Sequence, residues 1–365
     1  MNGRLKELSE IGQSVWIDYL SREMVRGGHL QRLVEEGVVG VTSNPTIFQK
    51  AISGSELYDE QLRELARSGV SPKEAFLELA RVDVREACDL LRPVYERTGH
   101  RDGFVSLEVS PDLAYDTEAT VEEAARLHEL VDRENLMVKI PATREGLPAI
   151  EEMISRGRSI NVTLIFSLER YRAVTQAYLR GIERLVDSGG DPSKVASVAS
   201  FFVSRVDTEA DRRLDEIGGH DELKGRLAVA NAKLAYQVFK ETFAGPEWEE
   251  LEARGARRQR PLWASTSTKN PDYPDTLYVD ELIGPETVNT MPEETLEAFK
   301  DHGTVRPALE EGLEEAREVF RRVREAGVDY EDVTEVLERE GVQKFADSYH
   351  ELLREIERET SRAAS

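Results

Sequence analysis

Cysteine is almost absent: the chain has one, Cys88, in 365 residues. A single thiol excludes an internal disulfide and a cysteine-rich metal site, and it fits a reducing cytoplasm. Cys88 lies in the helical-looking stretch Arg85-Glu86-Ala87-Cys88-Asp89-Leu90-Leu91 and reads as a small buried hydrophobe rather than a nucleophile. Long apolar runs are missing as well, and none approaches the roughly 20 residues that span a bilayer. The N-terminal stretch Met1-Asn2-Gly3-Arg4-Leu5-Lys6-Glu7 has no apolar segment behind its charges, so it does not read as a secretory signal. Positive charge is in deficit, 48 lysines and arginines against 71 acids for a net −23, which argues against nucleic acid or an anionic membrane as partner. Anionic small molecules stay open, because a few arginines converging in a pocket can hold phosphate under an acidic surface. No Gly-x-Gly-x-x-Gly turn follows a strand, there is no Walker-type loop, and no short repeat or low-complexity segment occurs.

What is present is the composition of a globular chain, 39% hydrophobic and 33% charged. Apolar, β-branched runs of parallel-strand type occur at 14–19, 38–43, 104–110, 137–141, 159–166, 195–204, 260–266 and 287–292. Between them lie helical patterns at 30–36, 56–97 in two pieces, 121–133, 146–156, 169–187, 207–243 and around 276–283. Ser71 followed by Pro72 predicts a capped helix start, and Asp191-Pro192-Ser193 punctuates the link into the sixth strand. Eight strands alternating with helices fit a closed (β/α)8 barrel or an open doubly wound sheet. The count of eight and the missing dinucleotide turn favour the α/β barrel. After its last helix, 293–300, a charged helical tail runs from about 305 to 358, with apolar residues at Val333, Val336, Leu337, Val342, Phe345, Tyr349, Leu352 and Leu353. The expected organisation is a catalytic barrel over 1–304 with 305–365 packed on it as helices, too thin in apolar content for a separate core.

Barrel enzymes place their reactive groups at the C-terminal ends of strands. Nearly every run here delivers a polar or ionisable residue: Asp18, Asn44, Glu108, Lys139, Asn161 and Thr163, Ser200 and Arg205, and Ser265, in strand order. Lys139 is flanked by Val138 and Ile140. A buried lysine loses the hydration of its charged form, which frees the neutral amine to attack a carbonyl; a strand-edge lysine snorkelling to solvent is the plainer alternative. Asp18 and Glu108 could each be a structural partner of a cation, or the two bases that amine catalysis needs. A divalent metal would need more oxygen or imidazole ligands than accompany them. None of the six histidines lies in a predicted strand, and His302 fits a helix end. Asn161-Val162-Thr163 matches a glycosylation sequon but lies within a strand run.

Gly40-Val41-Thr42-Ser43-Asn44-Pro45-Thr46-Ile47-Phe48 and Asn135-Leu136-Met137-Val138-Lys139-Ile140-Pro141-Ala142-Thr143 resemble the two signatures of transaldolases. Ser106-Leu107-Glu108-Val109-Ser110-Pro111, Ile160-Asn161-Val162-Thr163-Leu164-Ile165-Phe166, Ala199-Ser200-Phe201-Phe202-Val203-Ser204-Arg205 and Trp263-Ala264-Ser265-Thr266-Ser267 agree in family order over about 14–302. The length and the 265–271 stretch resemble the longer bacterial branch. The resemblance implies a metal-free transferase without cofactor, in which Lys139 forms a Schiff base with a ketose. It implies that Glu108 and Thr163 hold a proton-shuttling water and that Asp18 deprotonates the hydroxyl beyond the scissile bond. Asn44, Asn161 and Ser200 would bind the retained fragment, Arg205 would grip phosphate, and Ser265 would line the substrate site. Phe202 stands where relatives releasing free dihydroxyacetone tend to carry tyrosine, which favours transfer. One departure stands out: many members have a second phosphate-binding arginine after the seventh strand, whereas this chain offers Lys269, a point charge rather than a bidentate fork.

The expected reaction moves a dihydroxyacetone unit from sedoheptulose 7-phosphate to glyceraldehyde 3-phosphate, in the non-oxidative pentose phosphate pathway. A Schiff-base aldolase of the fructose 6-phosphate or deoxyribose-phosphate type, and a barrel that binds phosphosugars without catalysis, remain as alternatives. The expected partners are phosphorylated ketoses and aldoses, with no nucleic acid or membrane, in a cytoplasmic monomer or homodimer. Phe345 and Tyr349 either cover the barrel mouth or anchor the tail.

Overall fold

Runs that are apolar on both faces can be buried on both faces, and each becomes a short, fully buried parallel strand. In the computed structural model these are β1 (Gln13–Ile17), β2 (Val105–Glu108), β3 (Leu136–Pro141), β4 (Ile160–Ile165), β5 (Ser197–Phe202), β6 (Arg260–Ala264) and β7 (Thr287–Met291), in the order β1-β7-β6-β5-β4-β3-β2. The structure describes residues 3–364. Met1, Asn2 and Ser365, which belong to the outer ends of the ranges 1–304 and 305–365 and to the N-terminal stretch, lie outside the described residues, as do the side chains of 362–364.

The remaining run, 38–43, second in chain order, closes the ring without being a full strand. Val41 alone forms parallel bridges, to Ile17 on one side and Val105 on the other. Thr42 N donates to Ile17 O at 2.9 Å and Ser106 N to Val41 O at 3.0 Å. Backbone hydrogen bonds tie it to both neighbours from Val39 to Thr42, and its surroundings are tight. Gly40 lies so close to the Trp16 indole that a Cβ would stand 2.5 Å from the ring, and Asn44-Pro45 already starts the helix Pro45–Ser53. The result is a (β/α)8 barrel, as the strand count predicts.

Helices wrap the barrel with their apolar stripes inward. Leu168–Asp187, for instance, buries Tyr171, Val174, Tyr178, Ile182 and Leu185 at helical spacing. The expected start at Ser71 is a full capping box, with Ser71 Oγ accepting from Glu74 N and the Glu74 carboxylate accepting from Ser71 N. The single pattern expected over 207–243 is instead two helices, Ser204–Ile217 and Leu227–Thr242. Gly218, Gly219 and Gly225 take φ of 79°, 81° and 68° there, which ends one helix and turns the chain into the next. The tail likewise divides, at Gly327, into Leu313–Glu325 and Tyr330–Ala364. Helices at Gly3–Ile11, Pro45–Ser53 and Pro246–Ala253 have no counterpart in the sequence reading.

The last helix buries Val333, Leu337, Val342, Phe345, Tyr349, Leu352 and Ile356. It reaches the mouth of the barrel, where Ser348 Oγ lies 2.7 Å from Thr46 Oγ1 and Tyr349 meets Phe76 edge-on at 5.7 Å. At the opposite end a buried ion pair, Arg260 Nη2 to Asp102 Oδ1 at 3.0 Å, is shared with Ser14 and the Trp16 indole N–H. Cys88 is fully buried, and burial pushes its thiol pKa upward, the state of an inert core cysteine.

Candidate active site

Register fixes the centre of the site. Glu108 and Lys139 are opposite one another on β2 and β3, and Lys139 is opposite Asn161 on β4. Glu108 Oε2 lies 3.2 Å from Lys139 Nζ, close enough for an ion pair but out of line for a hydrogen bond. Lys139 Nζ instead donates to the backbone carbonyl of Ser43 at 2.8 Å. Both side chains are buried, Lys139 at 5% and Glu108 at 9% exposure, so the lysine is not a snorkelling edge residue. Burial raises the pKa of Glu108, against the opposing pull of Lys139.

Asp18, one residue past β1, accepts a hydrogen bond from Thr42 Oγ1 at 2.7 Å. Thr42 spends its hydroxyl proton there, so Thr290, 2.6 Å away, must donate to Thr42. Burial raises the pKa of Asp18; Lys139, the Thr42 hydrogen bond, Lys269 and Arg205 oppose the shift. Beneath these groups runs a satisfied chain: Ser200 Oγ donates to Asn161 Oδ1 at 2.7 Å, and Asn161 Nδ2 donates to Ser106 Oγ at 3.0 Å. Thr163 Oγ1, facing the same space, is buried and has no hydrogen-bond partner within the protein.

Among these groups lies a cavity of about 270 Å³ at the C-terminal ends of the strands. Asp18, Asn44, Lys139, Thr163, Ser200, Phe202, Arg205, Ser265 and Lys269 all contribute to its wall. Its charge is opposite to that of the molecule: Lys50, Lys139, Arg205, Lys269 and Lys344 against Asp18 and Glu294. A larger hollow of about 450 Å³, between the helix Leu168–Asp187 and the last helix, holds four arginines and four glutamates and so no such imbalance. A buried amine, two carboxylates of raised pKa and a cationic rim can form an imine, move protons and hold an anionic substrate.

Residues 15–356 match the Transaldolase/Fructose-6-phosphate aldolase family. The chain belongs to that family. It is 54% identical to a transaldolase of Frankia alni over all of both chains. It is 55% identical to one from Acidothermus cellulolyticus, over all of this chain and 98% of that one. Against Streptomyces coelicolor transaldolase 2 the identity is 52%, over all of this chain and 99% of the other.

Within this transaldolase-family barrel the sequence-predicted residues converge, with two refinements. Glu108 stands behind Lys139 and lines a narrow adjoining hollow with Asn44 and Tyr349. Asn161 is fully buried under the floor and meets the cavity through Ser200. Asn44 caps the helix Pro45–Ser53, its Oδ1 accepting from Ile47 N at 3.0 Å. Arg205 sits in the first turn of Ser204–Ile217, its guanidinium 5.4 Å from the Phe202 ring centre. Ser265 takes a φ of 55° and shares a 2.8 Å hydrogen bond with Ser204; Lys269 Nζ donates to Ser267 Oγ at 2.6 Å. His302 ends the helix Glu293–His302 and pairs with Asp275 and Asp301, outside the cavity lining. Phe345 lines the cavity and Tyr349 the adjoining hollow, so the tail both covers the mouth and anchors itself there.

Sequence reasoning missed Thr42, Ser43, Ser106, Thr290, Lys50 and Lys344. The first three lie inside the blocks that carry the family resemblance, which was a usable signal. Lys344, one residue before Phe345, had none beyond its neighbour. Among the described residues no group of three or more His, Cys, Asp or Glu side chains is placed to hold a metal ion, and no helix is long and apolar enough to cross a membrane.

Proposed function

We propose that the protein is a transaldolase that carries a dihydroxyacetone unit on Lys139. The observation that supports this most is a buried Lys139 amine that lines a cationic cavity and lies 3.2 Å from a buried carboxylate, Glu108. Lys139 Nζ attacks the ketose carbonyl carbon. Glu108 and Thr163 hold the water that takes a proton from the amine and returns one to the departing hydroxyl, giving the imine. Thr163 Oγ1, without a partner in the protein, has the free capacity this requires. Asp18 removes the proton from the hydroxyl on the carbon beyond the scissile bond. The carbon–carbon bond breaks, its electron pair passing into the imine to give an enamine, and an aldose phosphate leaves. The enamine then attacks the aldehyde of a second aldose phosphate, and the steps reverse to free Lys139.

Asn44 and Ser200 bind the retained fragment, and Asn161 acts by orienting the Ser200 hydroxyl. Arg205 and Lys269 receive the phosphate at the mouth, beside Ser265. Phe202 offers no hydroxyl to place water against the enamine, so the fragment persists until an acceptor arrives. Sedoheptulose 7-phosphate and glyceraldehyde 3-phosphate thereby give erythrose 4-phosphate and fructose 6-phosphate, in the non-oxidative pentose phosphate pathway. The protein works without metal or organic cofactor, in the cytoplasm, as a monomer or homodimer. It comprises one catalytic barrel, 1–304, on which 305–365 form an extension rather than a domain.

Borohydride reduction in the presence of fructose 6-phosphate, read by mass spectrometry, tests this. The expected product is a covalent three-carbon adduct on Lys139, absent from Lys139→Ala. No adduct on the wild type leaves a binding protein without this chemistry. Sustained release of dihydroxyacetone without an acceptor identifies an aldolase instead. Asp18→Ala should still be trapped as an imine but fail to cleave, and loss of trapping would remove Asp18 from the step given to it.

A further inference from the structure

The barrel mouth gathers cations that form no ion pair with the protein's own carboxylates among the described residues, Glu340 and Asp18 acting on Arg205 only from beyond ion-pair distance. Acids outnumber bases, 71 to 48, and cations elsewhere are commonly engaged by them, as Arg184 is by Glu151 and Glu152. Yet among the described residues none of Lys50, Arg205, Lys269 and Lys344 is ion-paired with a carboxylate, although all four line the cavity. Lys344 is brought there by the last helix, whose approach is set three residues earlier. A Cβ on buried Gly341 would stand 2.9 Å from Leu164, so the bare helix backbone packs on that side chain, and the same point lies 3.5 Å from Arg205 Nη1. Residues three apart share a helix face, which turns Lys344 toward the same guanidinium. The like charges are felt: Arg205 lowers the pKa of Lys344 most, followed by burial, Lys269 and Lys50. Such crowding is relieved by a bound dianion.

We propose that Lys344 is a phosphate-binding residue, supplied by the C-terminal helix to close the site formed by Arg205 and Lys269 in place of a second arginine after β6. The helix is then a substrate-selecting wall, admitting sugars that bring a phosphate. This rests on the phosphosugar reading above, but a binding measurement separates the two.

Inorganic phosphate is titrated calorimetrically into wild type, Lys344→Ala, Lys344→Arg and Gln343→Ala, and KM and kcat are measured with fructose 6-phosphate and with unphosphorylated fructose. Removing one exposed charge-assisted contact should weaken phosphate binding by about tenfold. The KM for fructose 6-phosphate should rise by a similar factor, with kcat and activity on fructose nearly unchanged. Lys344→Arg should restore both, and Gln343→Ala, altered at the adjoining exposed position, should match wild type. Phosphate affinity and KM that survive Lys344→Ala overturn the proposal, as does an equal loss on fructose. If phosphate binding depends on Lys344 but borohydride never labels Lys139, the catalytic reading falls and this assignment stands.

Discussion

Asp207 offers a test of how the Arg205 helix is held. It lies two residues after Arg205, is 1% exposed, and joins three elements: Oδ1 accepts from Ala228 N and Oδ2 from Tyr278 Oη, both at 2.7 Å. Burial outweighs these hydrogen bonds and pushes its pKa to about 7. An unfolded aspartate titrates near 3.9. Between those values the folded protein keeps a proton that the unfolded chain has released, so stability falls as pH rises through the interval. At about 1.4 kcal/mol per pH unit, the whole interval of roughly three units is worth about 4 kcal/mol, and the part between about pH 5.5 and 7 about 2 kcal/mol. Asp207→Asn carries no charge at any of these pH values. Its Oδ1 still accepts from Ala228, and its amide donates to Tyr278, whose hydroxyl rotates to suit. Urea unfolding from about pH 5.5 to 8 should show the variant gaining on wild type by about 2 kcal/mol as pH rises. Two curves that run parallel, with a difference independent of pH, would refute a protonated Asp207 in the folded protein.

Asp18 must be ionised to act as a base, and burial raises its pKa, so kcat/KM should fall on the acid side at a pH above the ordinary carboxylate range. Thr42→Val removes a hydrogen bond that lowers that pKa and should move the acid limb to still higher pH; an unmoved limb assigns it to another group. Asp102→Ala leaves Arg260 buried without its carboxylate and should cost about 3–5 kcal/mol, nearer the lower figure because Ser14 and the Arg101 carbonyl remain as acceptors. Chemical denaturation reads this, and a loss well under 1 kcal/mol would mean the pair contributes little. Gly40→Ala drives a methyl into the Trp16 indole and should destabilise by about 1–3 kcal/mol. Tryptophan fluorescence should report the disturbed ring, and an unshifted spectrum with unchanged stability would contradict the contact.

The strands and their reactive ends were legible because a charged or amide residue within an apolar run, as at Glu108, Lys139 and Asn161, is costly unless the barrel gives it a task. Helix starts were legible where capping chemistry is local, as at Ser71-Pro72. What escaped depends on long-range placement. The closest hydrogen-bond partner of Lys139 is the carbonyl of Ser43, and every residue carries a carbonyl. Lys344 looks in sequence like any solvated lysine on a charged helix, because its neighbours Arg205 and Lys269 lie far from it along the chain. The continuous helix expected over 207–243 failed because periodicity carried across Gly218 and Gly219, whose positive φ breaks it. The 38–43 run has the composition of a strand and is hydrogen-bonded to both neighbours from Val39 to Thr42, although only Val41 forms bridges.

The segment that closes the ring fastens the barrel wall where its chemistry is concentrated. Local opening follows the number of hydrogen bonds that must break, and residues 39–42 are tied by three backbone hydrogen bonds on the β1 flank (Val39 N to Val15 O, Ile17 N to Gly40 O, Thr42 N to Ile17 O) and three on the β2 flank (Gly103 N to Val39 O, Val41 N to Phe104 O, Ser106 N to Val41 O). The same segment carries the Thr42 hydroxyl that steadies Asp18 and the Ser43 carbonyl that holds Lys139. One well-tied segment thus sets the spacing of acid and amine at once, so a substitution that shifts it should disturb imine formation and carbon–carbon cleavage together.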